Sequence, residues 1–305
     1  MKTFKGRTAV ITGAGSGFGL EASRIAAREG MNVVMADVQQ DALSKAAAEI
    51  EALGAKVLPF RLDVSKAAEV EALGAATFAK FGAPHFVFNN AGVGTNGLCW
   101  EATVHDWDWV MGVNVTGVVH GIRVFAPMML EAAKKDPTYE GHITSTASMA
   151  GLLNPPNGVV YNASKAAVIA ISETLYHDLN LVTDQIGASV LCPYFVPTGI
   201  IASQRNRPGE LKDERAPTKS QLIGNAMIEK AVTSGKVSAA QVAQFVFDAM
   251  AERRFYVYSH PKALGNVQTR LEDIVMGRNP TDPFAQRPEV GAKLRAELRD
   301  EMRNQ

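Results

Sequence analysis

The feature that most constrains the fold is a regular alternation of short β-rich runs with longer helical patterns. Apolar runs at 8–13 (TAVITG), 32–37 (NVVMAD), 56–64, 85–90, 141–146 and 188–193 read as strands. Between them, 19–30, 40–54, 67–82, a stretch near 104–131 and another near 158–183 carry the apolar spacing of helices. Strands that are apolar on both faces need helices to cover them, and parallel neighbours need a helical crossover to connect them. The expectation is a doubly wound parallel α/β sheet, a Rossmann fold, with its ligand at the carboxyl ends of the strands.

The chain has 305 residues, of which 47% are hydrophobic, enough for one large core. We divide it into a domain over 1–265 and a C-terminal extension over 266–305. After Pro193 the texture changes. The stretch 198–221 is polar and broken by Pro and Gly, and a loop of that length in a compact domain is functional or disordered. A substrate loop is therefore placed at about 195–235. A helical pattern at 238–252 and a strand at 254–259 close the domain. The extension holds prolines at 280, 283 and 288 and then a charged helical pattern, 289–305, whose Lys293 and Glu297 fit an exposed face. It reads either as a solvated tail or as an arm on a neighbouring subunit.

Lys+Arg and Asp+Glu both number 31, so no basic footprint points to nucleic acid. Cys99 and Cys192 lack paired spacing, which suits a reducing cytoplasm. No N-terminal signal region and no uninterrupted apolar stretch of membrane length is seen, so no membrane partner is expected. The six histidines show no metal-ligand spacing, so no metal is expected. Trp100, Trp107 and Trp109 read as packing residues.

The first strand ends in TGAGSGFG, Thr12 to Gly19. Glycines 13, 17 and 19 stand where strand turns to helix, and they let the backbone approach a pyrophosphate at the helix N-terminus. GxGxxG is not met, but Gly17 to Ala22 fits GxGxxA. Asp37 ends the second strand, where a carboxylate binds the ribose 2′-hydroxyl of NAD and repels a 2′-phosphate. Ser16, Val38, Gln39 and Gln40 offer no cation, so NAD is expected over NADP. The plainer reading is that Asp37 caps the next helix.

Tyr161 and Lys165 in YNASK lie one helical turn apart on one face. A free phenol titrates near ~10, and a neighbouring ammonium favours its phenolate. Such a pair can serve as a tuned acid and base. A Tyr and a Lys at this spacing are also ordinary helix neighbours.

In order along the chain, TGAGSGFG, NNAG (89–92), Asn114 in GVNVTG, Ser148 and YNASK resemble the short-chain dehydrogenase/reductase family. The resemblance runs from about residue 5 to 200, and more weakly to 260. It implies that Tyr161 is the acid/base, that Lys165 also bonds the nicotinamide ribose, and that Ser148 donates to the substrate oxygen. It implies that Asn114 holds a water in a proton relay. It places Gly13, Ser16, Gly17, Phe18 and Gly19 at the pyrophosphate turn, Asp63 and Val64 at the adenine, Asn90, Ala91 and Gly92 against the cofactor, and Pro193, Val196 and Thr198 by the carboxamide. Only spacing selects Ser148 over Ser145. Tyr194 replaces the usual glycine and is expected in the substrate wall.

The expected substrate is a small, neutral, hydrophobic secondary alcohol or ketone, since no cation stands out beside Ser148. The resemblance implies a homotetramer or homodimer through the helices near 104–131 and 158–183. Two alternatives are an epimerase or dehydratase using NAD and a non-enzymatic NAD-binding redox sensor.

Overall fold

The computed structural model describes residues 1 and 3–304, with side chains through 299. Seven strands form one parallel sheet. They are β1 (Thr8–Thr12), β2 (Asn32–Asp37), β3 (Val57–Arg61), β4 (Phe86–Asn89), β5 (Gly141–Thr146), β6 (Ile186–Cys192) and β7 (Tyr256–Tyr258). The order β3-β2-β1-β4-β5-β6-β7 reverses direction between β1 and β4, which opens a crevice at their carboxyl ends.

Successive strand residues point to opposite faces, so strands apolar at every position feed two cores. Ile11, Val33, Met35, Phe86 and Phe88 pack under α1 (Gly17–Arg28) and α2 (Gln40–Ala52). Val10, Val34, Val87 and Ile143 pack on the other face under α3 (Ala67–Phe81).

The stretch near 104–131 is not one α-helix. It divides into α4 (Val104–Met111), a π-helical turn over Gly112–Thr116, and α5 (Gly117–Lys135). By length and mean apolarity the run Val104–Lys135 could cross a membrane, although Asn114, His120 and Arg123 interrupt it. Here Val118, Val124, Phe125 and Met129 are spent on the protein core. A π turn inserts one extra residue, and such turns concentrate at functional sites.

After β5 come α6 (Met149–Leu153) and α7 (Val159–Val182). The polar stretch after β6 is ordered. It contains 3-10 turns over Gly199–Asn206 and Gly209–Leu211, and then α8 (Lys219–Thr233). Helix α8 was not anticipated. Its mid-helix Gly224 and Asn225 blur the periodicity, but the capping box Thr218–Gln221 was a readable start signal. Helix α9 (Ala239–Glu252) follows, packing its Val246, Phe247 and Met250 on the first core.

Helix α10 (Leu264–Val275) was also missed, and the division drawn at 265 falls in its first turn. Helix α11 (Pro288–Asn304) ends the described chain. The extension is neither free nor wholly solvated. Asp273 accepts from Thr281 N (2.9 Å), Thr281 Oγ1 (2.7 Å) and Arg278 Nε (3.1 Å), and so ties the segment between α10 and α11 to α10. Leu294 of α11 is buried.

Candidate active site

The glycine turn is shaped by contacts as well as by φ. Gly13 and Gly17 lie at φ +65 and +55, where side chains are strained. A Cβ at Gly15 would come within 2.9 Å of Asp37 Oδ2, and Gly19 abuts the Gly13 carbonyl. Asp37 accepts from Gly15 N and from Gln39 N, both at 2.9 Å, so it stitches the turn to the end of β2 and also steadies the start of α2. The N-cap of α2 is Gln39, so Asp37 braces the turn before that helix rather than capping it. Ser16 is the N-cap of α1, yet its hydroxyl makes no cap bond and stays available.

A cavity of ≈ 2550 Å³ opens from this turn across the crevice. Gly13, Ser16, Gly17, Phe18, Asp37, Asp63, Val64, Asn90, Ala91 and Gly92 line it. So do Ser148, Tyr161, Lys165, Pro193, Tyr194, Val196 and Thr198. Gly19 and Asn114 lie behind the wall. Gly19 is buried under the turn it permits. Asn114 is fully buried: its Oδ1 accepts from Val93 N, and its Nδ2 donates to Val93 O and Ser164 Oγ, each at 2.9 Å. Those bonds make its amide a brace for the loop after β4. Asn90 is similarly engaged, donating to Thr12 O (3.0 Å) and accepting from Thr146 Oγ1 (3.1 Å).

Ser148, not Ser145, faces the cavity; Ser145 is buried in β5. Ser148 caps α6, accepting from Ala150 N at 3.1 Å, its hydroxyl donates to Pro193 O at 3.4 Å, and it favours ionisation of the Tyr161 phenol. Lys165 Nζ donates to Thr146 O at 2.7 Å and lies 5.6 Å from the Tyr161 ring centroid. The loop after β4 runs close to both groups. A Cβ at Gly92 would lie 3.4 Å from Lys165 Nζ, and one at Gly94 would lie 3.3 Å from the Tyr161 ring.

The electrostatics differ from the sequence expectation. Burial pushes the Tyr161 phenol up, and the group that draws it back is Ser148 rather than Lys165. Burial also pulls Lys165 down to about 8, against a weaker upward pull from Cys192. A dry cleft disfavours phenolate and ammonium alike. Replacing Ser148 by Ala should therefore act twice. It should lower kcat by about 10²-fold or more and shift to higher pH the limb that the phenol sets, the basic limb in ketone reduction and the acidic limb in alcohol oxidation. An unmoved limb would show that Ser148 does not tune the phenol.

Several wall residues were not foreseen. Trp100, read as packing, is 72% exposed and lines the cavity, whereas Trp109 is buried. Arg61, the register partner of Asp37 on β3, lines the cavity. Arg207 is buried on the substrate loop. It pairs with Asp106 at 2.8 Å and Asp213 at 3.1 Å and sits over Trp109, fastening the loop to α4. No sequence signal paired an Arg and an Asp a hundred residues apart.

Residues 7–209 match the family described as short chain dehydrogenase. The chain is a short-chain dehydrogenase/reductase. One solved member, a short-chain dehydrogenase/reductase from Burkholderia phymatum in complex with NAD, is 51% identical. It superposes with a TM-score of 0.90, over 93% of this chain and 99% of that one. The CLA biosynthesis dehydrogenase/reductase of Lactiplantibacillus plantarum is 32% identical over 278 residues, 90% of this chain and 95% of its own length. The 1-deoxy-11-beta-hydroxypentalenate dehydrogenase of Streptomyces exfoliatus is 34% identical over 270 residues, 88% of each. As a member of this family, the chain is an oxidoreductase on a Rossmann-like sheet, and its crevice meets the shape requirement for a nicotinamide dinucleotide. Side chains at Gly13 or Gly15 would intrude on the turn. The cavity also exceeds the roughly 300–1,000 Å³ of a site for one small ligand.

Proposed function

We propose that the protein interconverts a hydrophobic secondary alcohol and its ketone with NAD as the hydride partner. The observation that carries this reading is the convergence of Ser148, Tyr161 and Lys165 on a cavity that begins at the glycine turn. Gly13 to Phe18 would hold the pyrophosphate, Asp37 the adenosine ribose, and Thr198 and Val196 the carboxamide. Bound there, the nicotinamide supplies the site that gives or takes hydride. Ser148 orients the substrate oxygen by donating to it. Tyr161 delivers a proton to that oxygen in reduction and removes one in oxidation. Lys165, aimed by the Thr146 carbonyl, would bond the nicotinamide ribose, while Ser148 is the group that draws the phenol down. Tyr194, Phe195 and Leu153 line the substrate end with apolar surface, which supports a hydrophobic substrate.

A broad panel of alcohols and ketones, followed at the NADH absorbance band with NAD and NADP side by side, tests the reading. No hydride transfer to either cofactor would overturn it. The preference for NAD rests on the Asp37 carboxylate, and the NAD-bound relative supports it. Asp37→Ser should raise kcat/KM with NADP by about 10- to 100-fold, because the repulsive carboxylate goes while Arg61 stays. An unchanged NADP/NAD ratio would refute that assignment.

The cytoplasmic setting belongs to the same reading and is supported by two unpaired cysteines. So does a homotetramer or homodimer through α4–α5 and α7, supported by exposed Val104, Val119 and Leu181.

A further inference from the structure

The substrate end of the cavity has a wall that the first 265 residues do not supply. Residues 280–287 and α11 residues Val290, Leu294 and Leu298 line the same cavity as Ser148, Tyr161 and Tyr194. The Asp273 anchor holds this wall in place, with Asp282 bonded to Phe284 N at 2.8 Å and to Arg295 at 3.2 Å.

Most arginines around this end are already engaged. Arg205 donates to the Gly199 and Ala202 carbonyls. Arg207 is paired with Asp106, Arg278 with Asp273, and Arg295 with Asp282. Arg270 Nη2 donates to the Asn154 side-chain oxygen at 2.9 Å. Arg287 differs. Its backbone is held by Phe284 O at 2.8 Å, but among the described residues no carboxylate lies within ion-pair distance of its guanidinium. It lines the cavity on the side of Tyr194, whose ring packs on Phe195 (4.2 Å) and meets His260 edge-on (5.9 Å). The charge of Arg287 is felt at Tyr194, where it opposes the upward push of burial on the phenol.

We infer that the C-terminal extension forms the acid-recognising end of the substrate site, with Arg287 binding a carboxylate at the far end of a hydrophobic hydroxy or oxo acid. This rests on the alcohol–ketone reading above and refines it. The substrate keeps an apolar body along Tyr194 and Phe195, but it is not neutral throughout. The sequence offered no cation beside Ser148 because the one that serves lies well over a hundred residues further on, in a segment read as tail or arm. A guanidinium presents paired N–H donors that match a carboxylate, and a substrate seated in the cavity would cover this exposed group and favour the acid over a neutral ester.

The test uses the full chain with NAD and a ladder of (ω−1)-hydroxy carboxylic acids, each beside its methyl ester. The distance from Tyr161 to Arg287 should select one chain length. At that length the acid should exceed its ester in kcat/KM by about 10- to 100-fold. In Arg287→Gln the acid-to-ester ratio should fall towards one, chiefly through KM. Arg287 is exposed, so this variant should fold, and its melting temperature verifies that. Esters turned over as well as acids, or a ratio unchanged in the variant, would overturn the inference. If other secondary alcohols reduce NAD while no hydroxy acid does, the inference falls and the oxidoreductase reading stands. If no alcohol reduces NAD or NADP, that reading falls and takes the inference with it.

Discussion

Tyr161→Phe should bind NADH as the parent does and lose about 10³-fold in kcat, the scale of one general acid/base. The ring packs beside Gly94, and Phe keeps that surface, so the crevice should hold its shape. What disappears is the hydroxyl that Ser148 influences and that the proposed function assigns to proton exchange with the substrate oxygen. NADH fluorescence titration should give an unchanged Kd, while single-turnover hydride transfer becomes slow at every pH. Turnover at the parent rate would mean that the proton travels by another group. A lost Kd would mean that the phenol matters for shape rather than chemistry. A redox sensor without catalysis would show no turnover in the parent to lose.

Lys165→Met should abolish most activity and yet leave a characteristic mark on stability. Nζ is buried, donates to Thr146 O, and is pulled by burial from 10.5 to about 8. Below about pH 8, folded and unfolded chains both hold the proton, and the folded state bears the cost of a buried charge. From about 8 to 10.5 the unfolded chain still holds the proton while the folded chain releases it. The unfolded state then binds more protons, so stability rises with pH across that window. The rise attributable to Lys165 is about 3 kcal/mol, and Met cannot show it. Urea unfolding of both proteins over this range should therefore give curves that separate as pH rises, with the parent gaining on the variant. Loss of the Thr146 partner offsets the variant by about 1 kcal/mol at all pH values. Parallel curves would show that the ammonium is not discharged by its surroundings. Activity should fall by about 10²-fold or more, because the side chain assigned to hold the nicotinamide ribose is lost.

The two predictions draw on different kinds of information. Tyr161 and Lys165 were legible because four-residue spacing on a helix places two side chains together whatever the rest of the chain does. The glycine turn and Asp37 were legible for a similar reason: a strand, a turn and a helix follow one another without a break. The π turn at Gly112–Thr116 was not, since it keeps the apolar pattern and changes only which carbonyl each N–H meets. Asn114 was assigned a water relay by resemblance, and the structure shows what its amide bonds, namely Val93 and Ser164. Neither partner could be read from GVNVTG.

Ser148 marks the boundary between the two. Its spacing to Tyr161 selected it from a run of hydroxyls, but the reason it reaches the phenol lies in α6, a helix not foreseen. Gly151 permits that helix to lie against α7, where a Cβ would come within 2.6 Å of the backbone of Lys165 and Ala166. One small residue thereby sets the approach of the serine cap to the tyrosine.

Periodicity along the chain was enough to establish the alternating α/β order, the parallel sheet and the place of the dinucleotide crevice, because those follow from local geometry repeated many times. Contacts between distant segments decided the rest: the burial that lowers Lys165, the Arg207–Asp106 fastening of the loop after β6, and the folding back of residues 280–299 as a chamber wall. Burial, ion pairing and cavity shape depend on residues far apart in the chain, and no local pattern encodes which of them will meet.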